Sequence, residues 1–519
     1  MTKKSFYIVI IKSFKYLILF VLALVFLLSV IFSLNKRMHY DLAFMNYIAY
    51  LINEHEFVPY RDIFEINMPV SYLFHIAIGK LLGYSDIASN IANLIWLSIM
   101  VAVTWLIMKQ FDRLIAFTSC ILFGCIYIQS NFYMERDMIA VLPIATTILL
   151  SIYLKNTNLL KFKYFLIGVL FGVAAMFKPH LILGFPFLMI YNFINDFNND
   201  KKNLILNYLK NTLLSLLGFS LIIFICILWL WQIDALESFW QILSSYTPLY
   251  TRMTRELQSN YLSYLFNSYR SFGGYGLLIV TSVLGVYIVL SEAFLEKTKR
   301  LSILLLFLAF IYSLYVVISG RFLGYHWAPY VYFTSLCTAL VLFNPKTSQK
   351  LDRILFPLIV FIFTVTLTIG SSVKSTIAQF IFKIPPQSNE LYFNQADEIT
   401  NYLKKSLIPG SLVQPLNYCS GHLYGMLKSN AVIATPYIVD FYFYHHTSNK
   451  YIKRLRKDFI QRLKTQMPTF IIRSLINEDS CVNYSLSTFP ELYNFIEKNY
   501  TVDYASETTI IYKNIKITD

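Results

Sequence analysis

Charged residues are scarce in this sequence. Asp, Glu, Lys and Arg make up 14% of the 519 residues, 56% are hydrophobic, and the mean hydropathy is +0.54. Soluble domains carry about 25% charged residues. The hydrophobic excess lies in uncharged stretches of roughly 20 residues, the length that crosses a hydrocarbon core about 30 Å thick. The composition excludes an ordinary soluble enzyme and predicts an α-helical polytopic membrane protein.

Cysteine is also rare, with six residues in the whole chain. The sequence has no CxxC motif and no paired Cys/His spacing, so it gives no support to a structural zinc site. Cys419 and Cys481 lie in the C-terminal tail, where an oxidising compartment would permit a disulfide. Whether they pair depends on their separation, which the sequence leaves open. Heptads and repeats of about 20 to 50 residues are absent too, which argues against a solenoid.

The net charge of +15 does not indicate nucleic acid as a partner. Outside the membrane pattern, no Lys/Arg-rich run is interleaved with aromatic residues. The basic residues instead cluster in short loops between hydrophobic stretches, where they set the orientation of a membrane protein.

Eleven stretches are predicted to span the membrane. The first, Tyr16–Leu34, follows several lysines, is too long for a signal peptide and precedes no small-residue cleavage site. We therefore expect a retained span with the N-terminus in the cytoplasm. The other ten are Ile87–Met108, Leu114–Met134, Met138–Leu154, Tyr164–Phe177, Leu181–Asn195, Thr212–Ile233, Tyr275–Ser291, Leu301–Gly320, Trp327–Asn344 and Ile354–Val373.

The apolar segment Met68–Gly83 is predicted to be an interfacial helix rather than a span. If it crossed the membrane, every later basic loop would lie on the side opposite the basic N-terminus, whereas an interfacial position places all of them in the cytoplasm. The chain is then expected to divide into a transmembrane catalytic bundle, residues 1–374, with outer loops 35–86 and 234–274. A small extracytoplasmic α/β domain is expected over residues 375–519. Its predicted strands are Leu407–Leu416, Ala431–Val439, Thr469–Ser474 and Thr508–Lys513, and its predicted helices are the basic Asn449–Gln466 and the last one, Glu491–Asn499.

This topology places several short charged motifs together at the outer surface. They are Asp41, the run Val58–Pro69, Glu135-Arg136-Asp137, Lys178 with His180, and Arg321 with His326. Ionisable groups at membrane depth are costly and mark functional sites. Carboxylates can accept a proton or bind a metal, and Arg and Lys can hold a phosphate and stabilise the charge of a departing one. Transfer of a sugar from a lipid phosphate needs this combination.

The order of these motifs resembles the GT-C glycosyltransferases. One basic-flanked span is followed by an Asp, then by P-Y-R-D-I-F-E-I-N-M-P before an apolar segment, by E-R-D at a later span and by K-P between two short spans. The resemblance is to the branch of the protein O-mannosyltransferases and the lipid A aminoarabinose transferase, and it is closest over the first 200 residues.

The resemblance implies a bacterial inner-membrane enzyme that transfers a sugar from a polyprenyl-phosphate donor to an extracytoplasmic acceptor, without a nucleotide cofactor. It implies that Asp41 is the base that activates the acceptor, although relatives often have Asp-Glu where this chain has Asp41-Leu42. The remaining implied site residues are Asp137 as a catalytic acidic residue at the head of a later span, Lys178, Arg61, Arg136, Arg321 and His326 as donor-phosphate contacts, and Glu65 as a position that can bind a divalent metal.

The sequence is also compatible with two other functions. A glycan ligase or polymerase that uses a diphosphate-linked oligosaccharide would employ Arg252 and Arg255 of the second outer loop. A non-enzymatic lipid-linked sugar transporter would need ionisable groups near the bilayer midplane and inverted repeats, and the sequence shows neither. An interfacial aromatic belt accounts for His326 and Trp327 as well as a phosphate site does. The sugar and the acceptor are not indicated.

Overall fold

The computed structural model describes residues 3–129, 133–154, 159–196, 204–257, 266, 277–292, 294–319, 323–342, 352–382, 390–416, 420–476 and 486–517. The chain forms two compact units, each built from segments that are distant in the sequence. The first contains Met1–Lys36, Asn90–Cys226 and Gln258–Ile384, and the second contains Arg37–Ser89, Ile227–Leu257 and Pro385–Asp519. Arg321, Cys419 and Cys481 lie outside the described residues, as does the pairing of the two cysteines.

Each of the eleven predicted spans falls on a helix. Among the described residues, six helices are long and apolar enough to cross a membrane, and three more of these spans form shorter apolar helices. The α-helices that carry the spans are Lys3–Ser33, Asp86–Met108, Arg113–Gln129, Arg136–Ile139, Val141–Tyr153, Leu160–Phe177, Phe185–Asp196, Leu204–Gln232, Leu277–Ser291, Glu296–Ser319, Ala328–Ala339 and Asp352–Phe382. The predicted polytopic helical fold is therefore confirmed.

The helix Ala328–Ala339 forms the centre of the first unit. All of its residues are buried, and it packs against Arg113–Gln129, Leu277–Ser291 and Glu296–Ser319. Its hydroxyl groups are accommodated inside the protein, as Thr334 and Ser335 donate hydrogen bonds to the backbone carbonyls of Tyr330 and Tyr332. Short 3-10 turns, Gly324–Trp327 and Leu340–Leu342, extend it at both ends.

Two glycines let neighbouring helices of the first unit approach closely. A Cβ atom at Gly168 would lie 1.8 Å from the carbonyl oxygen of Ser215, and one at Gly218 would lie 2.2 Å from that of Phe165. No side chain fits at these distances. Small residues at such contacts are typical of helix pairs in membranes, where close backbone packing replaces the hydrophobic effect as the source of stability.

The C-terminal part of the second unit contains a five-stranded mixed sheet. The strands are β1 Leu412–Leu416, β2 Val432–Ile433, β3 Phe470–Ser474, β4 Tyr500–Ala505 and β5 Thr509–Asn514, in the order β2-β1-β3-β5-β4. β1 pairs in parallel with β2 and β3, whereas β5 pairs antiparallel with β3 and β4. The helices of this region are Glu390–Ser406, His422–Lys428, Lys450–Gln466 and Pro490–Asn499.

The predicted strands, the basic helix and the last helix of this region are present, and every predicted strand except the last is shorter than expected. The segment Ala431–Val439, predicted as a strand, forms a strand only at Val432–Ile433. Three elements were not predicted, namely β4 and the helices Glu390–Ser406 and His422–Lys428. The helix Asp352–Phe382 runs through residue 374, the predicted end of the bundle. The 1–374 and 375–519 division stays a prediction.

Both outer loops form helices that belong to the second unit. They are Tyr40–His55, Pro69–Leu82, Leu236–Gln241 and Thr247–Leu257, with a π-helical turn at Ile242–Tyr246. The Tyr47 hydroxyl donates to the carbonyl of Ala431 at 2.9 Å, and the Tyr50 hydroxyl donates to the carbonyl of Asn430 at 3.1 Å. The first outer loop is therefore built into the same unit as the C-terminal sheet.

Candidate functional site

The first unit contains a polar cluster centred on Asp137. This residue lies in the short helix Arg136–Ile139, and its side chain is 0% exposed. The Tyr315 hydroxyl donates a hydrogen bond to Oδ1 of Asp137. On the other side, Oδ2 lies 3.6 Å from Nζ of Lys178, whose side chain is 19% exposed. The carboxylate is therefore enclosed by protein, while the lysine side chain is partly exposed.

Lys178 owes its position to the proline that follows it. A residue before proline is disfavoured in the α-helical region, and Lys178 ends the helix Leu160–Phe177 in an extended conformation at φ −149° and ψ 113°. The 3-10 turn Pro179–Gly184 then begins. The chain therefore changes direction at Lys178, between the end of the helix and the start of the 3-10 turn.

Aromatic and histidine rings surround this pair. The ring centroid of Tyr315 lies 5.4 Å from that of His326 and 5.2 Å from that of His180. The ammonium of Lys178 lies 5.8 Å from the ring centroid of Tyr325. Burial lowers the pKa of His180, and the positive charge of Lys178 lowers it further, although Asp137 opposes the shift.

Three basic side chains lie close to Asp137. Arg136 is buried beside Asp137 and interacts electrostatically with it, as do Lys178 and His326. Glu135, the preceding residue of the same motif, is also buried and adds a second carboxylate. Arg136 and Lys178 can bind a phosphate, because phosphate oxygens accept charge-assisted hydrogen bonds from Arg and Lys.

The second unit holds a separate buried site at Glu65, which is 5% exposed. Asn67 donates its amide to Oε1 of Glu65 at 2.8 Å, and the Tyr442 hydroxyl donates to Oε2. Burial raises the pKa of Tyr442 well above its usual value, and the charge of Glu65 raises it further. The tyrosine is therefore a firm hydrogen-bond donor to the carboxylate.

This arrangement does not fit a metal ion on its own. Both oxygens of Glu65 accept hydrogen bonds from protein groups. Across the described part of the chain, no group of three or more His, Cys, Asp and Glu side chains is placed to hold a metal. Metal binding at Glu65 stays a prediction from the resemblance.

Arg61 lies in a strained turn just before Glu65. Tyr60 has a positive φ of 68°, which is costly for a residue with a large side chain. The turn is held by the Val58 amide, which donates to Oδ2 of Asp62 at 2.9 Å. The guanidinium of Arg61 pairs with Asp62 at 3.1 Å and with Asp234 at 3.4 Å.

Asp41 lies in the first turn of the helix Tyr40–His55 and is half-buried. An acidic side chain there is favoured by the partial positive charge of the helix N-terminus. The ring of the adjacent Tyr40 packs on Tyr392 with a centroid distance of 4.4 Å. Asp41 interacts electrostatically with that same Tyr392, which belongs to the helix Glu390–Ser406.

This chain is similar to known proteins in structure and not in sequence. No protein-family model matches this chain, and no curated protein sequence does. A crystal structure of ArnT from Cupriavidus metallidurans bound to undecaprenyl phosphate matches with a TM-score of 0.59, 11% identity, and coverage of 97% of this chain and 98% of that chain. The apo structure of the same ArnT matches with a TM-score of 0.60, 11% identity and the same coverage. The chain has the ArnT fold.

The fold class predicted from the motifs is thus confirmed, and the match spans nearly the whole chain. Within this ArnT fold, the structure brings Arg136, Asp137, Lys178 and His326 together in the first unit. The second unit holds the remaining described candidates, Asp41, Arg61 and Glu65. The roles of all of them stay predictions.

Two contributors to these ArnT-fold sites, Tyr315 and Tyr442, were missing from the predicted residues, and His180 was predicted only as part of a charged motif. Tyr315 and Tyr442 each donate to a candidate carboxylate, and His180 packs on Tyr315. Tyr315 lies near the outer end of a predicted span, a few residues ahead of the motif that contains His326. This position is the one feature of the sequence that could have indicated Tyr315 as a site residue. Tyr442 comes from the C-terminal part of the second unit, and nothing in its local sequence points to Glu65.

Proposed function

We propose that this protein is a membrane glycosyltransferase that transfers a sugar from a polyprenyl-phosphate donor to an extracytoplasmic acceptor. The observation that carries the proposal is the buried Asp137 that holds the partly exposed Lys178 close to Arg136 and His326. The ArnT fold supports it, because one of the matching ArnT structures is bound to undecaprenyl phosphate. The place of action would be the outer face of a bacterial inner membrane, with the N-terminus in the cytoplasm.

In this proposal, Lys178, Arg136 and His326 bind the donor phosphate. The bond between the anomeric carbon and the phosphate oxygen breaks, and the electron pair leaves with that oxygen as polyprenyl phosphate. Donors that face the developing negative charge stabilise the transition state more than the ground state. Asp137 acts as a positioning residue, since its enclosed carboxylate holds the lysine rather than reaching a substrate.

The acceptor hydroxyl attacks the anomeric carbon from the opposite face, so that the reaction inverts the configuration. Its proton passes to Asp41, whose half-buried carboxylate lies at a helix N-terminus in the first outer loop. A general base must come within hydrogen-bond reach of the hydroxyl that it activates. No step of this mechanism uses a metal ion.

The experiment uses a strain that lacks the gene and mass spectrometry of its envelope lipids and glycans. We expect one sugar modification to disappear, and the wild-type protein to restore it. Asp41→Ala and Lys178→Gln should fail to restore it although both proteins reach the membrane in normal amounts. Glu54→Ala is the matched control, because Glu54 is an exposed carboxylate on the same helix as Asp41.

Full restoration by Asp41→Ala would contradict the assigned base, and full restoration by Lys178→Gln would contradict the phosphate site. An unchanged set of lipids and glycans in the deletion strain would contradict glycosyl transfer itself. Purified wild-type protein provides a second measurement, because it should bind undecaprenyl phosphate in a nanodisc, whereas Lys178→Gln should bind it at least about tenfold more weakly, as expected when a charge-assisted contact is lost.

A further inference from the structure

A cleft of about 350 Å³ lies in the second unit and is not used by the proposed mechanism. Its walls come from the Tyr60-Arg61 turn, from the second outer loop near Gln241, and from the basic helix Lys450–Gln466. The volume is at the lower end of the range for ligand pockets, about 300 to 1,000 Å³. The cleft therefore suits a small molecule or the end of a larger one.

The charged side chains that line the cleft are predominantly basic. They are Arg61, Arg454 and Arg462, against the single carboxylate of Asp458. Asp458 is already engaged, since Oδ2 accepts hydrogen bonds from Nε of Arg462 at 2.7 Å and from the Tyr437 hydroxyl at 2.8 Å. The exposed pairs of Arg61 with acidic neighbours are of the weak, solvent-screened kind. The charge that faces the cleft is positive.

Aromatic rings form the rest of the wall. Tyr60, Phe64, Tyr437 and Tyr451 all line the cleft, together with the arginines. Aromatic rings offer broad apolar faces, and the tyrosines add a hydroxyl that can donate or accept a hydrogen bond. A sugar ring presents the matching surfaces, with an apolar C–H face and a rim of hydroxyl groups.

The helix Lys450–Gln466 presents these groups on one side. Tyr451, Leu455, Asp458 and Arg462 follow the spacing that places side chains on one face of a helix. Lys453 and Lys457 are exposed on the same helix but do not line the cleft. The helix thus has one set of basic residues inside the cleft and another set outside it.

We propose that this cleft binds an anionic saccharide, meaning a sugar that carries a phosphate or a carboxylate. The planar guanidinium groups recognise such anions with paired hydrogen bonds, and the tyrosines contact the sugar ring. The inference that this saccharide is part of the glycan acceptor rests on the proposed function. A general attraction of the basic helix to anionic lipids would need neither a cleft nor an aromatic wall.

The test measures binding by isothermal titration calorimetry with the full chain in nanodiscs of phosphatidylcholine. The probes are glucose 1-phosphate, glucuronate, glucose and inorganic phosphate. We expect glucose 1-phosphate or glucuronate to bind at least tenfold more tightly than glucose and more tightly than inorganic phosphate. The double variant Arg454→Gln/Arg462→Gln should weaken that binding at least tenfold, while thermal unfolding confirms that it is folded.

The matched control is Lys453→Gln/Lys457→Gln, which removes the same charge from the same helix outside the cleft. It should change the binding constant by less than twofold. An equal loss in both double variants, or binding only to vesicles that contain phosphatidylglycerol, would show non-specific attraction to anions and overturn the proposal. Equal affinity for glucose and its phosphate would also overturn it.

This measurement is independent of sugar transfer, because it needs neither a donor nor turnover. If the anionic sugar binds as expected but the deletion strain keeps all its glycans, the proposed function fails and the binding site stands. If the glycan is lost in the deletion strain but no anionic sugar binds, the site assignment fails and the transferase stands.

Discussion

The Tyr315 hydroxyl donates a hydrogen bond to Asp137 and thereby fixes the carboxylate that faces Lys178. A carboxylate that is fully enclosed must satisfy both oxygens within the protein, because an uncompensated buried charge is costly. Tyr315 satisfies one oxygen and leaves the other directed at the ammonium group, 3.6 Å away. The tyrosine therefore determines where the lysine can hold an anion.

Tyr315→Phe should weaken the function of Lys178 without unfolding the protein. A hydrogen bond to a charged group contributes about 1.5 to 3 kcal/mol, so we expect the KM for the lipid donor or the Kd for undecaprenyl phosphate to rise about 10- to 100-fold. The KM for the acceptor should stay unchanged. Donor titrations with the purified variant provide the measurement.

A suitable control for Tyr315→Phe is Tyr312→Phe, one helical turn earlier on the same helix. The Tyr312 hydroxyl donates to the carbonyl of Leu181 at 2.8 Å and not to Asp137. Equal effects of the two substitutions on donor affinity would mean that Tyr315 acts only through packing.

The hydrogen bond from Tyr442 to Glu65 should stabilise the folded protein. Removal of the hydroxyl in Tyr442→Phe leaves the buried carboxylate with fewer donors, and we expect a loss of about 1.5 to 3 kcal/mol in the free energy of unfolding. A double-mutant cycle with Glu65→Gln measures the coupling of the pair. Additive effects of the two substitutions would contradict a direct interaction.

Gly168→Ala should destabilise the first unit. The added methyl group would lie 1.8 Å from the carbonyl oxygen of Ser215, so the two helices must separate. Overpacking of this kind costs about 1 to 3 kcal/mol. Gly370→Ala is the matched control, because its methyl group would meet only the Thr366 side chain, at 3.8 Å. Thermal unfolding in detergent should separate the two variants, and equal melting temperatures would contradict the close contact.

The ion pair of Arg37 and Asp397 should make stability depend on pH. Burial tends to raise the pKa of Asp397, but Arg37 and Lys428 outweigh it and hold that pKa below its usual value. A lowered folded-state pKa means that the stabilisation is complete above the unfolded value of about 3.9 and is lost as the pH falls through the folded value. The two side chains of the main pair are 31% and 43% exposed, so the contribution is about 1 kcal/mol or less.

Asp397→Asn should therefore lower the melting temperature at pH 7, and its difference from the wild type should shrink below about pH 4. Arg37→Gln should reproduce this pattern, because it removes the other half of the pair. A difference that stays constant from pH 7 to acid would exclude the ionised carboxylate as the cause.

The helices could be predicted well because their signal is local. A stretch such as Ile87–Met108 is uncharged and long enough to span a bilayer, and the structure forms the helix Asp86–Met108 there. The short strand β2 shows the limit of local patterns. Residues Ala431–Val439 have strand-forming composition, but tertiary contacts confine the ladder to two residues.

The site could be predicted only in part. Charged motifs such as Glu135-Arg136-Asp137 and Lys178-Pro179 are conspicuous in a chain with few charges, and their common side of the membrane indicated a cluster. Tyrosines are common in this chain, with 39 residues, so nothing in composition distinguishes Tyr315 from the others. Its role depends on a contact across 178 residues of sequence.

The interleaving of the second unit has a consequence for biosynthesis. The segment Arg37–Ser89 emerges early, but the sheet that its unit contains is encoded from Pro385 onward. At roughly 5 to 20 residues per second, translation of the intervening stretch takes roughly 15 to 60 s. During that interval, the loop that carries Asp41 and Glu65 has been synthesised, but the C-terminal sheet of the same unit has not. Pulse-labelling should accordingly show this loop sensitive to protease in nascent chains and protected only after the C-terminus has been released.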